Sequence, residues 1–77
     1  MKLDAKLDLI ADILDVSAND LNLSDSLESY ENWDSMASLM LISTLEENFS
    51  RTDIEGTQIT NMKTIQDIVN VMEHANE

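Results

Sequence analysis

Apolar residues recur at the spacing of a helical face in three separate stretches of this chain, and no proline interrupts any of them. In "KLDAKLDLIADIL", Lys2 to Leu14, the residues Leu3, Leu7, Ile10 and Leu14 lie three or four apart, the period of one side of an α-helix. Asp4, Asp8 and Asp12 fall on other faces, while Leu9 and Ile13 widen the apolar stripe enough to meet more than one neighbour. In "DSMASLMLISTLEENF", Asp34 to Phe49, a wheel with about 100° per residue puts Leu41, Ile42, Leu45 and Phe49 on one side, with Leu39 at its border. Met36, Met40, Ser43 and Glu47 fall opposite, so this helix has a second, partly apolar face. Asp34 is the predicted N-cap. In "TIQDIVNVMEHANE" the residues Ile65, Ile68, Val69 and Met72 share a face. Thr64 with Asp67 three residues on resembles a capping box, with Asp in place of the usual Glu or Gln. The end, Ala75 to Glu77, is expected to fray.

The connections differ in kind. "DVSANDLNLSDSLESYEN", Asp15 to Asn32, is rich in Asp, Asn and Ser, which satisfy backbone groups locally and favour turns. It reads as an ordered loop pinned to the core by Val16, Leu21, Leu23, Leu27 and Tyr30, and long ordered loops often carry function. "SRTDIEGTQITNM", Ser50 to Met62, holds the single glycine, Gly56, and room for one short helical turn over Glu55 to Ile59, with Ile54, Ile59 and Met62 turned inward. Helices with apolar faces this wide must pack on one another, so the expected fold is a small all-α bundle. The 77 residues suffice for a single domain, residues 1–77, near the lower size limit for a self-sufficient core.

Composition removes several functions. With no cysteine there is no disulfide, thiolate metal site or cysteine nucleophile. The one histidine, His74, stands near the terminus, so a Ser–His–Asp arrangement has no base elsewhere and no catalytic residue is assigned. The Asp-rich "DVSANDLNLSDS" lacks the glycine and the spacing of a calcium loop, and no metal site is expected. No apolar run approaches a membrane span and "MKLDAKLDL" lacks the apolar core of a signal peptide, so the chain is expected to be cytoplasmic and complete. Sixteen acidic residues against four basic ones give a formal net charge of −12. That balance disfavours nucleic acid and anionic membranes and favours a basic protein surface as partner.

Ser35 has two readings on position alone. Beside Asp34 at a helix start it suits a capping role. The same place presents free N–H groups and partial positive charge, which would stabilise a phosphate ester on an exposed serine.

The chain resembles the acyl carrier protein family. "DSM" opening "DSMASLMLISTLEENF" is similar to that family's D-S-L signature and the helix after it. "ILDV" closing the first helix, "LSDSL" in the loop, "EENF" ending the second helix, the following "DI", and "MKTIQDIV" starting the last helix all agree, over residues 3 to 73. The resemblance implies a four-helix bundle of three longer helices and one short one, with a long loop between the first two. It implies that Ser35, flanked by Asp34, carries 4′-phosphopantetheine, attached from coenzyme A by a phosphopantetheinyl transferase. The arm's thiol then holds acyl or aminoacyl groups as thioesters for partner enzymes, and the chain itself is no enzyme.

Departures from the family concern partner choice. Members serving fatty acid synthesis usually show acidic residues two and five positions after the serine; here these are Ala37 and Met40. Met36 stands where leucine is usual. Met36, Ala37, Met40, Glu46 and Glu47 are therefore the expected docking residues, on a monomer that meets acyl-loading and acyl-using enzymes with basic or apolar surfaces. A specialised biosynthetic pathway, such as polyketide assembly, is expected rather than general fatty acid biosynthesis. Trp33 is expected to pack on the bundle. D-alanyl carriers usually show an aromatic-Asp-Arg stretch and a Trp before the last helix, and peptidyl carriers usually show glycines just before the serine; this chain has neither. A D-alanyl or peptidyl carrier stays the first alternative, and a helical interaction module without a prosthetic group is the second.

Overall fold

Most helix ends in this chain carry groups that take up part of the hydrogen bonding a helix leaves free, although the first helix opens at Lys2 with no side-chain cap. The computed structural model describes residues 2–73, and His74 and the fraying expected of Ala75 to Glu77 lie outside them. Helix α1 runs over Leu3–Leu14, α2 over Ser35–Phe49, α3 over Gly56–Thr60 and α4 over Ile65–Val71. Asp34 caps α2 as predicted, its carboxylate accepting the Ala37 N–H at 3.0 Å. Thr64 and Asp67 form the predicted capping box on α4. The short α3 carries a second box, between Glu55 and Gln58. Both α1 and α2 end on a left-handed residue, Asp15 (φ 56°) and Ser50 (φ 54°), although glycine is the usual choice there. Gly56 instead sits at the start of α3, where φ is not positive.

The core is wholly apolar among the described residues. Ile10 and Leu14 of α1, Leu41, Leu45 and Phe49 of α2, Ile59 of α3 and Ile65, Ile68 and Met72 at α4 are almost fully enclosed. Helix α2 packs on α1 and α3, and α1 also meets α4, which is the expected bundle. Two expectations for the edge of the core change. Leu3 is exposed and Leu7 only half-buried, because α1 enters the core from Ile10 onward. Val16 is exposed rather than pinned: its N–H bonds the Ala11 carbonyl at 3.0 Å, just after the chain turns out of the helix at Asp15.

The long loop is ordered by bonds as well as by apolar anchors. It holds two 3₁₀ turns, Ala18–Asp20 and Leu27–Ser29, opened by Ser17 and Ser26 hydroxyls that accept the Asn19 and Glu28 N–H groups. Leu21 and Leu27 are buried, and Leu23 and Tyr30 pack against the core. Three backbone bonds staple the loop to the segment entering α4. Leu27 N–H donates to Lys63 at 2.8 Å, Ile65 N–H to Asp25 at 3.1 Å, and Gln66 N–H to Leu23 at 2.9 Å. Together they spare backbone groups that a loop over a small core would otherwise leave unpaired.

Candidate functional site

The end of the loop delivers Ser35 to a fixed place. Asn32 donates its side-chain amide to the Leu14 carbonyl at 2.9 Å, tying the approach to the end of α1. Trp33 N–H bonds the Tyr30 carbonyl at 3.1 Å, and the half-buried indole packs on the core, as expected. Tyr30 in turn donates its hydroxyl to Asp25 at 2.6 Å. The Tyr30 hydroxyl lowers the pKa of Asp25, while burial and that same bond push the Tyr30 pKa up to about 12. A chain of hydrogen bonds thus runs from α4 through the loop to Trp33, two residues before Ser35.

Ser35 is that first residue, and it is exposed. The Ala37 N–H goes to the Asp34 carboxylate and the Ser38 N–H to the Asp34 carbonyl at 3.0 Å. The remaining first-turn N–H groups, of Ser35 and Met36, have no acceptor among the described residues. No acidic residue occupies the first turn of α2. An exposed hydroxyl, free donors and the positive end of a 15-residue helix form a place where a phosphate ester is electrostatically favoured.

The family described as the phosphopantetheine attachment site matches residues 7–72. The chain belongs to that family. No curated protein and no solved structure gave a match. Members of the phosphopantetheine-attachment family bear 4′-phosphopantetheine covalently, so this chain is a phosphopantetheine-bearing carrier protein. When attached, the group supplies a thiol that holds cargo as a thioester. The first turn of α2 fits it: the phosphate would find the free N–H groups there, and the Asp34 carboxylate is already held by Ala37. Carriers of this family meet phosphopantetheinyl transferases and the enzymes of their pathway. No helix among the described residues is long and apolar enough to cross a membrane, and no cluster of metal-ligating side chains occurs among them.

The structure separates the expected docking residues. Met36, Met40, Glu46 and Glu47 are exposed on α2. Ala37 is not: it is 2% exposed and belongs to the core. The buried ridge of α2 is the row Ala37, Leu41, Leu45, Phe49, in steps of four residues. Leu39, placed at the core border by the wheel, lies roughly 140° from the centre of that row and is 62% exposed. Ile42 is half-buried at the flank. The wheel went astray only at this border, because leucine outweighs alanine in any hydropathy pattern, yet the enclosed row begins at Ala37. Leu39 and Asn32 are the residues that sequence reasoning missed. A leucine one turn beyond Ser35, between two methionines of the outer face, was the available signal for the first.

Two surface recesses flank this end of the bundle. One is an open depression lined by Met36, Leu39, Met40, Ser43 and Thr44. The other, about 430 Å³, is more polar and lies between the loop and the approach to α4, lined by Ser26, Leu27, Glu28, Trp33, Thr60, Met62 and Lys63.

Proposed function

We propose that Ser35 bears the phosphopantetheine arm and that the protein, as a cytoplasmic monomer and single domain, carries acyl or aminoacyl groups to partner enzymes of a specialised pathway. The chain performs no catalysis. Its contribution is to hold the Ser35 hydroxyl out at the start of α2, to stabilise the phosphodiester with helix N–H groups, and to present α2 to partners. The observation that supports Ser35 most is its exposure as the first residue of α2, within the matched span. The specialised pathway is supported by apolar side chains, Met36, Leu39 and Met40, on the outer face near Ser35; Ala37 no longer enters that argument.

The test is an intact mass after incubation with coenzyme A and a broad-specificity phosphopantetheinyl transferase. The expected result is a gain of one phosphopantetheine that Ser35→Ala abolishes. A gain that survives Ser35→Ala refutes the assignment of the residue, and no gain in the unaltered chain refutes the carrier reading. Offering the modified protein to acylating, D-alanylating and aminoacyl-adenylating enzymes then sorts the cargo.

A further inference from the structure

The residues that lead into Ser35 are held to the rest of the bundle at one polar point. The Tyr30 carbonyl accepts the Trp33 N–H at 3.1 Å and closes a turn with Glu31 and Asn32 at its centre. Neither central residue has a positive φ, so the turn needs no glycine. Asp34 keeps its bonds inside α2, its carboxylate on the Ala37 N–H and its carbonyl on the Ser38 N–H and hydroxyl. Of the hydrogen bonds made by residues 31–34, only the one from the Asn32 amide to the Leu14 carbonyl, 2.9 Å long and 18 positions apart in sequence, reaches another helix. That bond also meets a need at its other end. Leu14 is the last residue of α1 and 1% exposed, and the last carbonyls of a helix have no donor within it. The nearby N–H groups of Asp15 and Val16 go to Asp12 and Ala11 instead. One amide therefore closes the end of α1 and fixes the approach to α2, and a buried carbonyl without its donor is costly enough to hold it there.

Resting on the carrier reading, we infer that Asn32 is a positioning residue for the modification of Ser35. In that step the Ser35 Oγ bonds the pantetheine-side phosphorus of coenzyme A. The P–O bond to the adenine nucleotide breaks, the nucleotide leaves with the electron pair, and the hydroxyl proton passes to a base of the transferase. The attacking oxygen must stand within roughly 3–3.5 Å of the phosphorus and in line with the leaving group. The Ser35 hydroxyl bonds no other described residue, so the backbone that carries it sets its place. Trp33 anchors that backbone by apolar packing, which is non-directional. The Asn32 amide supplies the direction. Asn32 lines neither the apolar patch of Met36, Leu39 and Met40 nor the recess beside Trp33, so losing its amide leaves those surfaces as they are.

The experiment measures modification kinetics with a purified broad-specificity transferase and coenzyme A, together with the emission of Trp33, the single tryptophan. Asn32→Ala should lower kcat about three- to ten-fold, the factor that one net hydrogen bond represents, with KM held within about two-fold. Trp33 emission should move to longer wavelength as the turn loosens and the half-buried indole meets water. Asn32→Asp keeps the shape of the side chain and removes the donor. It should behave alike, and it carries the test if the alanine variant does not fold. Phe49→Leu weakens the core at the far end of α2, roughly 21 Å from Ser35 along the axis, and controls for stability. Its melting temperature should fall while kcat, KM and Trp33 emission match the unaltered chain. Asparagine variants modified at the unaltered rate overturn the proposal, and so does an unshifted Trp33 emission. A loss carried by KM places Asn32 in the docking surface and overturns the positioning role. An equal fall in kcat for Phe49→Leu assigns the effect to stability and overturns it too. In each of these cases the unaltered chain still gains its phosphopantetheine; if it gains none, the carrier reading itself fails.

Discussion

Replacing Ala37 by glutamate sets a local rule against a tertiary one. Ala37 is the third residue of α2, three past its Asp34 cap. A glutamate there would complete a capping box and face the positive end of the helix, worth about 1 kcal/mol of stabilisation. But Ala37 is 2% exposed, at the head of the buried ridge. The added side-chain atoms overfill the site at about 1–3 kcal/mol. Taking the carboxyl group out of water, among side chains with no buried polar partner, costs about 1–3 kcal/mol more on mutational scales. Burial outweighs capping, and the net loss is about 1–5 kcal/mol, centred on about 3. A chain of this size has about 4–12 kcal/mol in all, so the central loss should lower the melting temperature by roughly 10–30 °C. Met40→Glu, at an exposed position on the other side of α2, should change stability by no more than about 0.5 kcal/mol. Urea and thermal unfolding followed by far-ultraviolet circular dichroism on both variants decides the matter. If Ala37→Glu is as stable as Met40→Glu, Ala37 is not a core residue and the assignment of the buried ridge of α2 is wrong.

The other predictions concern caps and ionisation. Asp67 accepts the Lys63 N–H at 2.8 Å and the Thr64 N–H at 3.1 Å, so Asp67→Ala should cost about 0.5–2 kcal/mol in urea unfolding. Glycine stands where the backbone does not require it and is missing where it would help. Gly56→Ala, whose new Cβ meets nothing within 4 Å, and Ser50→Gly, at φ 54°, should each stabilise by about 0.5–1 kcal/mol. The Tyr30 hydroxyl holds Asp25 below the usual carboxylate range, and the Lys63 N–H does the same for Asp67. Their stabilisation is complete above the ordinary carboxylate pKa of about 3.9 and lost as pH falls through the lowered folded values. Asp25→Asn should therefore flatten the acid limb of a stability–pH curve. At the alkaline end, the single tyrosine should titrate near pH 12 by phenolate absorbance, and its contribution is lost as pH rises toward that value.

Much of the fold was legible because it is local. Asp34 and the Thr64–Asp67 pair mark helix starts through atoms no more than four residues away, and the apolar spacing of Ile65, Ile68, Val69 and Met72 fixes a face without knowing what it faces. The resemblance carried by "DSM" and its surroundings led to the family that the match over residues 7–72 established. Less legible was the loop, whose Asp, Asn and Ser residues announce turns but not which turns. Its order comes from Leu27 and Lys63, Asp25 and Ile65, and Leu23 and Gln66, pairs far apart in the chain.

The sequence alone determined three helical stripes, the caps of the second and the last, and the acidity, because periodicity, capping and composition are properties of neighbouring residues, and its motifs carried the resemblance to the family. The spacing also put Leu41, Leu45 and Phe49 of α2 inside, but where the edges of that buried face run was decided only by the tertiary structure. Ala37 and Leu39 differ by two positions, and hydropathy ranks the leucine as the core residue. The bundle instead encloses the row of i+4 steps from Ala37 to Phe49, with a methyl group at one end and a phenyl ring at the other. Leu39 is left beside Ser35 and the two methionines, and the apolar patch exists for that reason.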